Sequence, residues 1–287
     1  MILGKPVSKL APPTTLAPAG GAPAPATPSP TTPAPVAPPT SSLQVPPKAP
    51  PMSLPPLPPS LNRQKPVANI LIVGESGSGK TRSFKDLDWA SGTIAFVDTE
   101  CKGFEWQHLI PDDCYFPCRT YEEVLQVMKH VEANPKFTIG VVDSFTGFNI
   151  GSHESCKSKY TGYDIYSQLN SAAVRLLNAC KSPRVRWILS AIPEMLTTES
   201  TGNTVGVIIK RAAVVGRELE GKVESYFSYA VFLKVVAAAG KKSEHYYVLQ
   251  TDGKTQAKIP EGVTNEVQIE NSMAKLLGII EKAEAGK

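Results

Sequence analysis

The first 66 residues contain no aromatic residue and no aspartate or glutamate. A segment without aromatic side chains buries too little apolar surface to offset the entropy of ordering its backbone. The same segment holds 21 of the 27 prolines in the 287-residue chain, together with many alanines, threonines and serines. Repeated Pro-Pro and Pro-x-Pro steps favour the extended polyproline II form. We therefore predict a disordered Pro/Ala-rich arm over residues 1–66, followed by a folded domain over residues 67–287.

The absence of acidic residues also locates the positive charge of the chain. The arm has a net charge of +5, whereas residues 67–287 hold 25 basic and 26 acidic side chains. The overall net charge of +4 and the pI of about 8.7 therefore describe the arm. Since the folded domain is close to neutral, it has no global basic field that would attract nucleic acid. Any affinity of that domain for phosphates must be local.

Long apolar runs are also missing. No stretch approaches the roughly 18 consecutive apolar residues of a transmembrane helix, and the first ten residues lack the apolar core of a signal peptide. Five cysteines, an odd number in a large domain, argue against a secreted disulfide framework. These absences predict a soluble protein of the cytoplasm that has no membrane partner.

One group of cysteines leaves a metal site open. Cys101, His108, Cys114 and Cys118 lie close enough in sequence to suggest zinc. Their spacing lacks a paired Cys-x-x-Cys knuckle, and the last two cysteines flank a Tyr-Phe-Pro sequence typical of a short strand. Small buried thiols are the favoured alternative.

Residues 67–287 alternate between short apolar runs and amphipathic segments, a pattern typical of βαβ units that build a mostly parallel sheet. Predicted strands cover residues 67–73, 93–97, 136–142 and 184–191, the last of them closed by Pro193. Predicted helices cover residues 121–132, 163–181, 212–226 and 269–284. Apolar runs at 229–236 and 244–251 predict an antiparallel hairpin that extends the sheet. A polar, turn-rich loop is predicted over residues 197–204. The expected fold class is therefore α/β, with antiparallel strands toward the C-terminus.

A phosphate-binding motif directly follows the first predicted strand. Eight residues match G-x-x-x-x-G-K-[ST] in full, and they are Gly74, Glu75, Ser76, Gly77, Ser78, Gly79, Lys80 and Thr81. The glycines allow successive amides to turn toward one anion at the start of a helix. Lys80 would neutralise the β and γ phosphates of a nucleotide, and the Thr81 hydroxyl would bind Mg²⁺. Because the motif lies between a buried strand and a helix start, it predicts a nucleoside triphosphate site.

Two carboxylates at strand ends complete the predicted site. Asp143 ends the third predicted strand, where it would hold Mg²⁺ through water. Glu100 follows Asp98 at the end of the second strand, where it would polarise the water that attacks the γ-phosphate. The alternative for Asp143 is a turn former at a strand end, and the alternative for Glu100 is a solvated loop residue.

These strand ends resemble those of a known superfamily. The segment Ala95-Phe96-Val97-Asp98-Thr99-Glu100 resembles the strand of RecA-type ATPases that ends in the catalytic glutamate, and Val141-Val142-Asp143-Ser144 resembles their Walker B strand. The resemblance spans most of residues 67–260 and indicates a RecA-like P-loop NTPase core. Within the superfamily, the short stretch over 81–92, the Asp-Thr-Glu sequence and residues 251–258 resemble phage-encoded, RecA-like single-strand annealing ATPases.

The resemblance implies several functional properties. It implies binding of ATP and Mg²⁺, hydrolysis with Glu100 as the catalytic residue, self-association into a ring or filament, and binding of single-stranded DNA by loops beyond the third and fourth strands. Lys254 and Lys258, after the last long strand, would reach the γ-phosphate of a neighbouring subunit; a charged hairpin end is the alternative. Ser190, at the end of the fourth strand, would sense the γ-phosphate.

Candidate nucleic-acid contacts combine basic side chains with a tyrosine. Lys157, Lys159 and Tyr160 are expected in the loop after Asp143, where phosphate contact and base stacking would combine. Lys210 and Arg211 follow the polar loop. The alternative for all five is a solvated loop. The sequence departs from bacterial RecA in its short helix after the phosphate loop and in having no separate DNA-binding domain.

Two functions are compatible with these patterns. The first is an ATPase that acts on single-stranded DNA in phage recombination or annealing. The second is a nucleotide-dependent assembly or switch protein that uses no nucleic acid. In that second case the Pro-x-x-Pro segments of the arm would dock into the aromatic groove of a protein partner.

Overall fold

The computed structural model of the protein describes residues 66–197, 208–214, 219–237, 242–251 and 253–286. All of the described residues fall within one unit, Pro59–Lys287. The predicted arm, apart from Pro66, lies outside the described residues, and so do residues 198–204 of the predicted polar loop.

The described residues form ten strands and four α-helices. The strands are β1 (Ile70–Val73), β2 (Ile94–Asp98), β3 (Tyr115–Pro117), β4 (Ile139–Asp143), β5 (Arg186–Ala191), β6 (Pro193–Thr197), β7 (Ile208–Ala212), β8 (Tyr229–Val236), β9 (Glu244–Val248) and β10 (Gln268–Glu270). The helices are α1 (Tyr121–Ala133), α2 (Phe145–Lys159), α3 (Tyr163–Ala179) and α4 (Met273–Ala285).

Eight strands form one sheet in the order β10-β9-β8-β1-β5-β4-β2-β3. The six strands from β8 to β3 run parallel to their neighbours, whereas β9 and β10 are antiparallel. Strands β6 and β7 form a separate antiparallel pair. The predicted α/β class, with a mostly parallel sheet and antiparallel strands near the C-terminus, is confirmed.

The central strands read as continuous apolar runs because both faces of a parallel sheet are covered. Every residue of β1, β2 and β5 is buried. Between β4 and β5, Gly140 pairs with Trp187, whose indole is almost fully buried. A Cβ atom built on Gly140 would lie 2.3 Å from Cζ3 of that indole. The glycine therefore provides the space into which the tryptophan packs.

Local sequence explains where α1 begins and ends. Thr120 and Glu123 form a reciprocal capping box at its N-terminus. At its C-terminal end, the Arg184 guanidinium donates to the carbonyl oxygens of Val131 and Glu132. These bonds satisfy carbonyls that have no partner within the helix. Helices α1, α2 and α3 contact one another, and α4 contacts the 3₁₀ helix Thr81–Phe84.

The prediction of a loop after Asp143 was wrong, because α2 follows β4 almost immediately. Its N-cap is Ser144, whose hydroxyl accepts a hydrogen bond from the Gly147 amide. The buried face of α2 mixes Phe145 and Phe148 with polar residues such as Ser152. Apolar periodicity was therefore too weak to indicate a helix.

The predicted helix over 212–226 is also wrong where the structure describes it. Strand β7 extends to Ala212, and the described residues 213–214 and 219–226 contain no α-helix, although the 3₁₀ helix Val223–Tyr226 lies there. The Ala212 amide donates to the Glu224 side chain at 2.6 Å. This contact draws the end of β7 and the 3₁₀ helix together, so tertiary contact outweighs helical propensity here.

Several element boundaries differ from the predicted ones, whereas the helix after the phosphate loop is short, as predicted. Pro193 opens β6 and does not merely close β5. Helix α4 begins after its N-cap Ser272, because the preceding residues pair with β9 as β10. The helix that starts at the phosphate loop is a four-residue 3₁₀ helix. Among the described residues, no helix is both long enough and apolar enough to cross a bilayer.

Replacement of Gly140 by alanine tests the packing of Trp187. The added methyl group would force the buried indole to move, so we expect the free energy of unfolding to fall by about 1–3 kcal/mol. Urea denaturation measures this change. The control is Gly278→Ala, because a Cβ atom at Gly278 in α4 meets nothing within 4 Å and should add up to about 1 kcal/mol of helix stability. Equal stability of the two variants would contradict the packing role.

Candidate nucleotide-binding site

The phosphate loop leaves β1 at the edge of the sheet where the parallel strands end. Gly77 and Gly79 have φ angles of 74° and 93°, a region that side-chain-bearing residues rarely adopt. Lys80 is only 9% exposed, and its ammonium group donates to the carbonyl oxygens of Gly74 at 2.7 Å and Glu75 at 3.0 Å. Burial lowers the pKa of Lys80, although the charges of nearby carboxylates oppose this shift. The lysine is thus held in the curve of its own loop.

Two side chains from distant parts of the chain support this loop, and the sequence did not indicate either. The His245 Nδ1 atom of β9 lies 2.7 Å from the Ser78 carbonyl oxygen. Asn271, just before α4, donates to the Gly79 carbonyl oxygen at 3.1 Å. A Cβ atom on Gly79 would lie 2.9 Å from the Asn271 amide nitrogen. Glycine at this position therefore allows the close approach of the supporting residues.

Asp143 lies at the end of β4 beside the last residue of the phosphate motif. Its carboxylate accepts hydrogen bonds from the Thr81 hydroxyl at 2.6 Å and from the Ser190 hydroxyl of β5. Burial raises the pKa of Asp143, while the two hydroxyl donors and the Lys80 charge oppose the shift. Thr81 and Asp143 thus present oxygen atoms to the same point, and such hard donors suit Mg²⁺.

Asp98 has a different role from Asp143, although the two are paired in register at the ends of β2 and β4. One oxygen of Asp98 accepts the backbone amides of Glu100 at 3.0 Å and Cys101 at 2.8 Å. The other oxygen accepts the Tyr115 hydroxyl at 2.6 Å. Asp98 therefore shapes the turn that carries Glu100. Its two carboxylate oxygens accept hydrogen bonds from that turn and from Tyr115 of β3.

The turn after β2 is joined to the start of α2 by Ser144. The Thr99 hydroxyl donates to the Ser144 carbonyl oxygen at 2.6 Å and accepts its amide at 2.8 Å. The Ser144 hydroxyl donates to Glu100 at 2.7 Å. These bonds fix the position of the Glu100 carboxylate relative to β4.

Glu100 also has a cationic partner that the sequence did not indicate. The Lys102 ammonium lies 2.8 Å from the second carboxylate oxygen. Burial alone would raise the pKa of Glu100, but hydrogen bonds from Lys102 and Ser144, with the positive charges of Lys102 and Lys80, leave it below its usual value. Glu100 is therefore held in its charged form.

These groups surround a cleft of about 480 Å³, referred to below as the phosphate cleft. Its wall includes Lys80, Thr81, Glu100, Lys102, Trp106 and Asp143. A buried aromatic cluster backs the wall, with Phe96 in edge contact with Trp106 and Phe104 in tilted contact with both. The volume lies within the range of small-molecule sites. The groups around the cleft fit a nucleoside triphosphate with Mg²⁺. They are a loop of amides, one lysine, one hydroxyl and two carboxylates.

The remaining predicted residues lie outside this cleft. The Lys210 ammonium pairs with Glu75 of the phosphate loop at 2.7 Å, and its hydrogen bond lowers the pKa of that carboxyl. Arg211 is buried and pairs with Glu194 and Glu220. The guanidinium of Arg211 is therefore held by two carboxylates at a buried position in β7. The sequence had suggested an accessible cation next to the polar loop.

The lysines of α2 and of the C-terminal segment also have partners within the chain. Lys157 and Lys159 lie in the last turn of α2, with Tyr160 as its C-cap, and pair with Glu154 and Glu122. The side chain of Lys258 donates to the Phe227 carbonyl oxygen at 2.9 Å. The Lys254 carbonyl oxygen accepts the Lys210 amide at 2.7 Å.

The sequence left open a metal site at Cys101, His108, Cys114 and Cys118. Among the residues that the structure describes, no group of three or more His, Cys, Asp or Glu side chains is arranged to hold a metal ion. Burial raises the pKa of Cys118 to about 12, which favours its thiol over the thiolate that zinc requires. A Mg²⁺ site at Thr81 and Asp143 would need only one or two protein ligands, since water and phosphate oxygens supply the others. It is therefore a different kind of site from a cluster of three or more protein ligands.

Comparison with known proteins gives a distant structural likeness. No protein-family model and no curated protein matches the chain. Among solved structures, the chain is similar to a structure described as the RadB recombinase, with 19% sequence identity and a TM-score of 0.40. The likeness covers 64% of this chain and 80% of the RadB chain.

Replacement of Asp143 by asparagine tests the cost of its buried charge. Because the pKa of Asp143 is raised in the folded protein, folding favours the protonated carboxyl, and ionisation lowers stability as the pH rises from about 4 through the raised pKa. We expect Asp143→Asn, without nucleotide or Mg²⁺, to unfold at a temperature equal to or above that of the wild type at pH 7. The difference in unfolding temperature should narrow as the pH falls through the raised pKa toward about 4.

Differential scanning fluorimetry across this pH range measures the effect. The matched control is Asp98→Asn, which weakens bonds to two amides and a hydroxyl and should lose about 1–3 kcal/mol of stability. A lower unfolding temperature for Asp143→Asn at every pH would show that burial of the charge is not costly.

Proposed function

We propose that the protein is a Mg²⁺-dependent ATPase with a RecA-like core that acts on single-stranded DNA in phage recombination or annealing. The observation that carries the ATPase part is the convergence of Lys80, Thr81, Asp143 and Glu100 on one cleft at the carboxyl edge of the sheet. In open α/β sheets this edge is where ligands bind. The DNA part rests on the resemblance of residues 95–100 and 141–144 to RecA-type strands.

Each side chain in the cleft has a chemical task in this proposal. The amides of the phosphate loop and the Lys80 ammonium bind the β and γ phosphates. When phosphate enters, the lysine exchanges its bonds to the loop carbonyls for charge-assisted bonds to the ligand. Glu100, held ionised by Lys102 and Ser144, accepts the proton of the attacking water.

Thr81 and Asp143 would hold Mg²⁺, with Asp143 acting through water. The ion neutralises charge on the phosphate oxygens when it is bound. The protein's own contribution is the pair of hydrogen bonds that Thr81 and Ser190 donate to Asp143, which orient the carboxylate before any ligand arrives. In this proposal Ser190 is a positioning residue for Asp143.

Assembly and nucleic-acid contacts complete the proposal. Self-association into a ring or filament would bring Lys254 or Lys258 of one subunit toward the γ-phosphate of the next. Lys157, Lys159 and Tyr160 lie at the C-terminal end of α2, and Lys210 bonds to the phosphate loop itself. In this proposal these residues contact the DNA.

Substitutions at Lys80 and Glu100 separate binding from hydrolysis. Lys80→Ala removes charge-assisted bonds to phosphate worth roughly 10- to 100-fold in affinity, so binding of a fluorescent ATP analogue should weaken at least to that extent. Glu100→Gln should retain binding but lose about 10²- to 10⁴-fold in turnover, measured by phosphate release. The control is Lys129→Ala, a change of an exposed lysine on α1. Normal turnover by Glu100→Gln would remove this residue from the mechanism.

Fluorescence anisotropy with labelled oligo-dT tests the DNA part. Because electrostatic affinity is greatest at low salt, we expect binding to the wild-type chain under that condition and a stronger signal with ATP and Mg²⁺. Deletion of residues 1–66 in parallel shows whether the basic arm contributes. If the full chain binds no oligo-dT at low salt with ATP and Mg²⁺ present, the single-stranded DNA function is excluded.

A further inference from the structure

A second cleft lies beside the phosphate cleft and shares part of its wall. It has a volume of about 400 Å³ and is referred to below as the α2 cleft. Its lining includes Thr99, Lys102, Arg119, Gly147 and Ile150. Glu100, Lys102 and Ile192 line both clefts. A ligand in the α2 cleft would therefore contact the same carboxylate and lysine that face the nucleotide.

Two cations give the α2 cleft its chemical character. The Arg119 side chain is exposed, and its guanidinium makes no ion pair with any described residue. The Lys102 side chain is 78% exposed, although its ammonium reaches Glu100. An exposed guanidinium beside an exposed ammonium is suited to a phosphodiester, which can take two donors at once.

Exposed apolar and aromatic side chains continue from this cleft along α2 and α3. Ile150 is 63% exposed, Tyr163 81% and Tyr166 48%. His153 follows Ile150 by three residues, and Tyr163 precedes Tyr166 by three, so each pair shares a helix face. The rings of His153 and Tyr166 lie 6.2 Å apart with a 35° tilt. The four side chains form one surface, here called the aromatic strip, that crosses from α2 to α3.

The charges around the aromatic strip are of both signs, because the exposed Asp164 lies between Tyr163 and Tyr166 in sequence while two nearby glutamates are paired with lysines. Glu154, which lies next to His153, is paired with Lys157 at 3.2 Å. Glu122 is paired in the same way with Lys159 at 2.8 Å. Aromatic faces near the Arg119 guanidinium form a combination that can bind single-stranded nucleic acid, because bases stack on rings while phosphates meet the positive charge.

From this arrangement we infer that single-stranded nucleic acid binds in the α2 cleft and along the aromatic strip, and that its phosphate withdraws Lys102 from Glu100. The inference rests on the proposed ATPase function and adds to it a binding surface and a coupling element. Arg119 and Lys102 contact phosphate, while Tyr163, Tyr166 and His153 stack on bases. Lys102 acts as a positioning residue: while bonded to Glu100 it competes with water for the carboxylate, and nucleic acid in the α2 cleft relieves that competition.

Anisotropy with labelled oligo-dT at low and moderate salt tests the binding surface. Arg119→Ala should weaken binding several-fold and reduce the slope of log affinity against log salt by about 1. Joint replacement of Tyr163 and Tyr166 by alanine should weaken binding about fivefold or more, whereas Tyr163→Phe should bind as the wild type does. The matched control is Arg175→Ala, an exposed arginine of α3 that lines a different cleft. Unchanged affinity in Arg119→Ala and in the double tyrosine variant would overturn this site.

Phosphate release with and without oligo-dT tests the coupling. Arg119→Ala should keep wild-type turnover without oligo-dT and require several-fold more oligo-dT for stimulation. Lys102→Ala should hydrolyse ATP faster than the wild type without oligo-dT, and its stimulation ratio should fall toward 1. Lys102→Arg, which keeps the charge, should restore much of the ratio. Slow basal turnover in Lys102→Ala with full stimulation would overturn the coupling.

The outcomes separate this inference from the proposed function. In one outcome the wild-type chain binds both the ATP analogue and oligo-dT, while the α2-cleft variants bind them with unchanged affinity. That result would overturn the α2-cleft site and leave the ATPase function in place. A wild-type chain that binds neither ligand overturns the proposed function itself.

Discussion

Strands β2 and β4 end in register, with Asp98 opposite Asp143, and the site depends on this alignment. Because the strands are parallel neighbours, the segments that leave them start side by side. Thr99 and Ser144 can then exchange two hydrogen bonds. That exchange places Glu100 against the N-terminus of α2 and Asp143 against Thr81. A shift of either strand by one residue would turn the carboxylate of that strand to the opposite face of the sheet.

Much of the site was predictable from the sequence because its determinants are local. A full phosphate motif after a buried strand indicates its own conformation through glycines and a lysine at fixed spacing. Carboxylates at the ends of apolar runs indicate the sheet edge. The sequence predicted Asp143 and Glu100 for the cleft, but it did not show that Asp98 serves the loop. That assignment depends on the Tyr115 hydroxyl, which reaches Asp98 from a neighbouring strand.

The parts that sequence reasoning missed have no clear signature in the local sequence pattern. Helix α2 is stabilised by its Ser144 cap and by burial of a mixed face, so it lacks a clear apolar period. Lys102 was passed over because a lysine two residues after a glutamate is an ordinary surface pattern. Arg211 looked like a loop cation until the structure brought Glu194 and Glu220 to it. For Arg211 the deciding partners come from other segments of the chain, whereas Ser144 and Glu100 are close in sequence to the residues they hold.

His245 and Asn271 contact the backbone carbonyl oxygens of the phosphate loop. These contacts make the loop part of a larger cooperative unit. Asn271 directly precedes Ser272, which caps α4 and bonds Asp86 just beyond the loop. Local opening of the loop would therefore have to break contacts with the last helix as well. The amides of the phosphate loop should therefore exchange with solvent hydrogen at rates that follow the opening of α4 more closely than the opening of β1. The stability of α4 would then limit the exchange of the slowest amides in the loop.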